Sequence, residues 1–304
     1  MNTSFELVVL GSNSAMPAYG RYPTSQVLSL GKDSFLIDCG EGAQLRMIEY
    51  KIKRNNINYV LISHLHGDHL YGLPGFLGSL SHLSRKKPLT VYGPIGIKEY
   101  LETVLRLSQS HRSYELIIHE LEHTAHTTLV DNKHWTLSAF PVNHRLPTYG
   151  YLIREKPAPR NINKAAISEY ALTVKEILAI KGGADLNRGE LQAFNAQLTL
   201  PASAPRSYAY CADTQVKGWD KQHLKGVELL YFETTYLHDK VEQAEARGHA
   251  TTVQAAQVAM ELEVGQLLIG HYSSRYKDVD PLLAEAQAIF PATIKGYDGV
   301  IINL

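Results

Sequence analysis

Tyr59-Val60-Leu61-Ile62-Ser63-His64-Leu65-His66-Gly67-Asp68-His69 decides the reading of this 304-residue chain. The apolar opening, Tyr59 to Ile62, predicts a buried strand, and Gly72-Leu73-Pro74-Gly75 marks a place where a helix can start. Four potential ligands therefore crowd the loop at the carboxyl end of a strand, where open α/β architectures place their chemistry. Side chains two apart in an extended segment point the same way, so His64 and His66 aim two imidazoles at one ion. Asp68 and His69, adjacent on a turn that Gly67 allows to bend, reach a second ion beside it. A lone histidine would signify an ordinary hydrogen-bonded side chain. Two alternating histidines followed by Asp-His after an apolar strand signify metal.

Working outward, Phe5 to Leu10, Gln26 to Leu30 and Ser34 to Ile37 read as strands, the last ending in Asp38-Cys39-Gly40-Glu41-Gly42 before a helical stretch, Ala43 to Lys53. Asp38 either caps that turn or orients a metal-bound histidine from behind. Downstream, helices at Phe76 to Ser84 and Ile97 to Leu107 alternate with strands at Leu89 to Tyr92 and Leu116 to His119, the pattern of layered α/β. The cluster Arg85-Lys86-Lys87 reads as a solvated helix end. His119, His123, His126 and His134 are irregularly spaced in what reads as a β-meander and are expected at the surface.

The strand Thr136 to Pro141 leads to Val142-Asn143-His144-Arg145. In the second half, Tyr208 to Ala212 ends in Asp213-Thr214, Val227 to Phe232 in Glu233-Thr234-Thr235, and Gln266 to Ile269 in Gly270-His271. Each polar candidate again stands at a strand's carboxyl end. A carboxylate is the side chain best suited to share one oxygen between two cations, so Asp213 is the natural bridge. His64, His66 and His144 with Asp213 would hold one ion, and Asp68, His69 and His271 with Asp213 the other. A pair of zinc ions about 3.5–4 Å apart serves hydrolysis of a phosphate or carbonyl.

Residues 154–206 break the α/β rhythm, with Lys156-Pro157-Ala158-Pro159-Arg160, one helix expected from Ser168 to Ile180, then Gly182-Gly183 and a polar tail to Pro205. Eight Lys and Arg stand there against five Asp and Glu. The segment reads as an insertion projecting from a single domain spanning 1–304. Across the whole chain Lys plus Arg and Asp plus Glu are balanced at 30 each, so no global field draws in nucleic acid or membrane, although a local basic patch would suffice for RNA. The two cysteines, Cys39 and Cys211, form no Cys-x-x-Cys pair, and both are expected reduced in the core. The N-terminus lacks a basic region and no run of eighteen apolar residues occurs, so the expectation is a cytoplasmic protein with no membrane segment.

The chain resembles the ribonuclease Z family of the metallo-β-lactamase superfamily along nearly its whole length. The resemblance rests on Leu10-Gly11-Ser12, Asp38-Cys39-Gly40-Glu41-Gly42, the ligand loop with Gly72-Leu73-Pro74-Gly75, Pro141-Val142-Asn143-His144, Asp213-Thr214 and His271-Tyr272-Ser273-Ser274-Arg275-Tyr276. It implies a four-layer αββα sandwich with a protruding arm. It also implies two zinc ions, with manganese or iron as substitutes, and removal of the 3′ trailer from precursor tRNA. The family's His-Glu-Ala-Thr motif corresponds to Phe232-Glu233-Thr234-Thr235, with Phe in place of His and Thr in place of Ala but the glutamate kept, so Glu233 would support His249 as proton donor to the leaving group, and Asp68 would accept a proton from the attacking water. The 154–206 insertion would be the flexible arm that binds tRNA, and Lys156, Arg160, Lys181 and Arg275 would contact substrate. Arg21 matches the family's early arginine, while Tyr22 stands where Asn is usual, which puts recognition of the RNA 3′ end in question. Family members are commonly homodimers. Another hydrolase of the same fold, such as a cyclic-nucleotide phosphodiesterase or an arylsulfatase-like enzyme, is the alternative. A catalytically inactive RNA- or metal-binding protein is the alternative of a different kind.

Overall fold

The computed structural model describes residues 4–122 and 124–304. The chain opens with strands β1 (Phe5–Gly11), β2 (Ser25–Leu30) and β3 (Asp33–Cys39), then helix α1 (Ala43–Glu49). Next come β4 (Ile57–Leu61), α2 (Gly67–Leu70), α3 (Leu73–His82), β5 (Leu89–Pro94), α4 (Ile97–Leu107) and β6 (Leu116–Leu121). Strands β7 (Thr127–Asp131), β8 (Trp135–Val142) and β9 (Thr148–Glu155) precede the inserted segment. That segment holds β10 (Asn161–Ile162), α5 (Lys164–Glu169), α6 (Val174–Lys181), β11 (Leu186–Arg188), β12 (Leu191–Ala193), α7 (Asn195–Leu198) and β13 (Thr199–Leu200). The chain closes with β14 (Ser207–Cys211), β15 (Leu229–Glu233), α8 (Val241–Arg247), α9 (Thr252–Glu261), β16 (Gln266–Gly270), α10 (Asp280–Gln287), β17 (Thr293–Lys295) and β18 (Ile301–Asn303).

Two seven-stranded sheets organise these strands, in the orders β18-β1-β2-β3-β4-β5-β6 and β17-β16-β15-β14-β9-β8-β7. Strands β3 to β6 run parallel in the first, and β14 to β17 in the second. β14 and β15 are buried along their full length, as parallel strands covered on both faces must be. Tyrosines cross from one sheet to the other: Tyr210 Oη donates to Asp38 Oδ2 at 2.6 Å and Tyr151 Oη to the Ile62 carbonyl at 2.7 Å. On the outer face of the first sheet, Met47, Phe76, Leu77, Leu80 and Leu101 pack helices α1, α3 and α4 onto Leu36, Val60 and Val91. On the second, Ala255, Ala259, Leu282 and Ala286 pack α9 and α10 onto Ala209, Leu230 and Leu267. Helix, sheet, sheet, helix is therefore the layering, the four-layer α/β sandwich expected.

Two local expectations change. The 116–134 region is not a meander, because β6 ends one sheet and β7 begins the other; an alternating pattern does not say which sheet a strand joins. His119, His126 and His134 are exposed as expected, and His123 lies outside the described residues. The helix read from Ser168 to Ile180 is two, α5 and α6, separated at Thr173, whose hydroxyl takes the Glu176 amide while Glu176 takes the Thr173 amide. That capping box is a start signal in the middle of a helical stretch, and local hydrogen bonding wins over propensity.

The chain divides into two compact units: residues 1–130, 137–153 and 207–304 form one, and 131–136 with 154–206 the other. The second has its own small core of Ala166, Leu172, Ile180, Leu186, Ala193 and Leu198. The stretch read as a polar tail is ordered by the β11–β12 hairpin, the β10–β13 pair and Asn195, which bonds Ile180 and Ala184 carbonyls.

Candidate metal centre

His64 and His66 leave β4, Asp68 and His69 sit on α2, His144 follows β8, Asp213 follows β14 and His271 follows β16. Sheet topology brings these strand ends to one place. One group of donors, His64, His66, His144 and Asp213, has its ligand atoms within 4.8 Å of one another, and so does a second, Asp68, His69 and His271. Asp213 links them. Its Oδ2 lies 3.5 Å from His64 Nε2 and 3.8 Å from His144 Nε2, and its Oδ1 lies 3.3 Å from His69 Nε2 and 2.9 Å from His271 Nε2. All seven residues proposed from sequence are thus brought together.

The surrounding hydrogen bonds set the tautomers. Asp38 Oδ2 accepts from His69 Nδ1 at 2.7 Å and from Ser63 Oγ at 2.8 Å, so Ser63 Oγ in turn accepts from His64 Nδ1 at 3.0 Å. The Gly248 carbonyl accepts from His144 Nδ1 at 2.8 Å. Thr235 Oγ1 donates to Glu233 Oε2 and accepts from His271 Nδ1 at 2.8 Å. Four imidazoles thereby spend their Nδ1 hydrogens outward and direct Nε2 at the centre, the arrangement a metal ligand needs. Asp38 orients His69 and does not cap α1, whose first turn follows Gly42. Asp38 and His271 both hold left-handed backbone, φ 52° and 61°, uncommon for residues with a Cβ and concentrated where function over-determines geometry.

A divalent cation fits this donor set. His144 Nε2 and Asp213 Oδ1 are buried with no hydrogen bond of proper geometry, despite the short Asp213–His271 approach, and two such orphans pointing inward are what a cation satisfies. Charge agrees. Burial would lower His271, but Asp213 and Asp68 raise it to about 10, and Asp213, Asp38 and Asp68 likewise raise His69 against its burial. Burial would raise Asp68 and Asp213, but neighbouring histidines pull both well below the carboxylate range. The carboxylates demand positive charge here. Burial lowers His64, His66 and His144, keeping them neutral and able to coordinate.

Beside the centre, the fully buried Glu233 places Oε1 2.9 Å from His249 Nδ1, and takes amide hydrogens from Thr214 and Thr235. Burial opposes a charged His249, but the Glu233 carboxylate outweighs it and the net shift is upward. His66, Asp68, Asp213, His249 and His271 line a cavity of about 710 Å³. Two arginines that sequence reading did not single out, Arg145 and Arg247, stand on its rim. Arg145 Nε and Nη2 donate to the Arg247 carbonyl at 3.0 and 2.8 Å, one residue before the carbonyl that holds His144. Arg145 follows His144 directly and Arg247 stands two residues before His249, and that proximity was the available signal.

The proposed substrate contacts are placed differently. Arg275 is exposed, its guanidinium 4.9 Å from the Tyr236 ring centre and bonded to Gln243. Lys156 pairs with Asp131, Arg160 just before β10 donates to Thr199 Oγ1 of β13 at 2.6 Å, and Lys181 is exposed in the last turn of α6. Arg21 is 1% exposed and binds Asn13 Oδ1 and the Tyr276 and Lys277 carbonyls, so it braces a loop and faces no RNA end.

Residues 5–158 match the family model described as anti-Pycsar protein Apyc1. Ribonuclease Z from Bacteroides fragilis is 38% identical over 99% of both chains, and that from Cytophaga hutchinsonii is 41% identical over 97% of this chain and 95% of its own. Among solved structures, human tRNase Z, short form, superposes with a TM-score of 0.72 at 22% identity, covering 98% of each chain. The metallo-β-lactamase fold protein YhfI from Bacillus subtilis gives 0.69 at 17% identity over 99% and 100%. These likenesses to solved structures carry the fold, a metallo-β-lactamase fold. Identity sustained over nearly the full length of its relatives carries the family, and this chain belongs to the ribonuclease Z family.

Proposed function

We propose that the protein is a metal-dependent endoribonuclease that removes the 3′ trailer of precursor tRNA by hydrolysing one phosphodiester. The observation that carries the reading is the His249–Glu233 pair, 2.9 Å apart, with His249 facing the same cavity as His66, Asp68, Asp213 and His271 of the seven converging ligands. The donor set, five imidazoles and two carboxylates with one shared, suits two zinc ions, with manganese or iron as substitutes. What such ions supply when bound is a nucleophile at neutral pH and neutralisation of charge developing on phosphoryl oxygens.

The chain's own residues do the rest. Asp68, anchored by the Ala15 amide to its Oδ2 at 2.7 Å, takes the proton of the attacking water. His249, kept protonated by Glu233, donates to the departing sugar oxygen. The rim arginines Arg145 and Arg247 hold the phosphates on either side of the scissile bond, and the 154–206 segment, with Lys181 exposed and Lys156 half-buried, extends the contact to the folded RNA. A homodimer and a cytoplasmic setting belong to the same reading and are supported by family membership; no helix among the described residues is long and apolar enough to cross a membrane.

The test is incubation of zinc-loaded protein with a trailer-bearing precursor tRNA and mapping of the new 3′ end. One cut at the trailer junction is the expected result. Hydrolysis of a cyclic nucleotide with the precursor left intact would transfer the assignment to a small-molecule phosphodiesterase of the same fold.

A further inference from the structure

Beyond Arg145 the protein has a second cavity of about 670 Å³, within the size range of sites that bind small ligands. Arg145 lines both cavities, and His144, a ligand of the metal centre, lines this one as well. A tier of aromatic rings forms its wall. Buried Phe140 stacks on Trp219, with ring centres 5.8 Å apart and planes 14° from parallel. Phe140 also meets His223 at 4.4 Å, and His223 stacks on His126 at 4.5 Å and 19°. The tier thus climbs from the core to His126, whose inner face is covered by His223 while the residue itself is exposed.

Two further features point to a ligand with a flat ring and a negative charge. Trp219 is fixed in place by its Nε1 donating to the Gln215 carbonyl at 2.9 Å, and the Lys221 ammonium sits 4.8 Å over its ring. Arg145 brings a guanidinium to the junction with the metal cavity. The carboxylate among the lining residues, Asp220, is turned to the Gln222 amide at 2.9 Å. Aromatic faces beside cations are how proteins hold unpaired nucleotides without regard to sequence, because every base has a π-face.

We infer that this cavity is a nucleobase subsite, in which the base of a nucleotide next to the scissile phosphate stacks on His126 while its phosphate is held at Arg145. The inference rests on the phosphodiesterase reading above, and deepens it by assigning a second place where substrate is gripped. Stacking there would draw one flanking nucleotide out of the RNA path and set the scissile phosphate over the metal ligands. Recognition would be of ring shape, so all four bases are accepted.

Two measurements test it. In the first, the metal-loaded wild-type protein is titrated with uridine and adenosine monophosphates while tryptophan fluorescence is followed. Saturable quenching by both, absent in Trp219→Phe and weakened in His126→Ala, is expected, since Trp135 is the other tryptophan in the chain. In the second, His126→Ala and Lys221→Ala are assayed on precursor tRNA and on bis(p-nitrophenyl) phosphate. Loss of about tenfold in kcat/KM on RNA for His126→Ala, carried by KM, with the small ester cleaved as by wild type, is the expected result for one base–aromatic stack. No quenching together with unchanged RNA kinetics in both variants would overturn the subsite. If wild type cuts no RNA but mononucleotides still quench Trp219, the subsite stands and the tRNA reading falls.

Discussion

At the scale of single residues the centre is a balance of charge and orientation. Asp213 touches both groups of donors, so Asp213→Ala should leave the fold intact and lose both ions; elemental analysis of the purified variant should find almost none, against two per chain in wild type. His249→Ala should keep both ions and lose about 10²–10⁴ in kcat, the usual worth of a general acid. Normal turnover of that variant would leave His249 a purely structural residue. In the proposed mechanism Glu233 sets the pH at which His249 works. Because its carboxylate raises His249 above the ordinary imidazole value, the protonated acid survives to higher pH and activity falls only as pH climbs through that raised pKa. In Glu233→Gln, burial acts with less opposition and the pKa drops, so the alkaline limb of the kcat profile should move to lower pH. A limb that stays in place would separate Glu233 from proton transfer.

At the scale of elements, the ligand loop depends on a close passage between the ends of β3 and β4. A Cβ built on Gly40 would stand 2.4 Å from the Asp68 carbonyl and 2.7 Å from Pro23 Cβ, and one on Gly72 would stand 2.2 Å from the Gly40 carbonyl. Backbone meets backbone there, so the strain cannot be relieved by a rotamer. Gly40→Ala should push α2 outward, costing about 1–3 kcal/mol of stability and weakening metal affinity, read by thermal melting and by metal titration. In the second unit, Thr173→Ala removes the capping box that starts α6 and should cost about 1 kcal/mol, with metal content unchanged. The split of one expected helix into α5 and α6 is the clearest case where apolar periodicity ran on through a boundary. The periodic positions on both sides of Thr173 feed the same small core, so pattern alone could not place the break.

At the scale of the molecule, the two compact units separate chemistry from what lies in 154–206. Every proposed ligand and both proton-transfer residues belong to the unit formed by 1–130, 137–153 and 207–304. Replacing residues 156–200 by a short Gly/Ser linker should therefore retain two ions and near wild-type hydrolysis of an activated small phosphodiester. Processing of precursor tRNA should collapse, chiefly in binding, and the dependence of binding on salt should flatten as phosphate contacts are lost. Loss of both activities would make the segment part of the catalytic fold, and loss of neither would remove it from RNA recognition.

Taken alone, the sequence determined the layered α/β class and the gathering of metal-ligating side chains at strand ends, because those signals are local: an apolar strand, a loop dense with imidazole, and the same strand-end placement repeated at His144, Asp213 and His271. A strand end is a fixed position in any parallel sheet, so the candidate ligands could be named before their neighbours were known. Tertiary structure alone decided what lies between distant parts of the chain. It chose the orienting role of Asp38 over the capping one by placing it against Ser63, His69 and Tyr210. It withdrew Arg21 into the loop beneath Tyr276, and it set Arg145 and Arg247 on the rim of the cavity. It also stacked His126 on His223, nearly a hundred positions later in the chain. Such contacts depend on how two sheets and their helices pack, and no spacing along a single strand or helix encodes them.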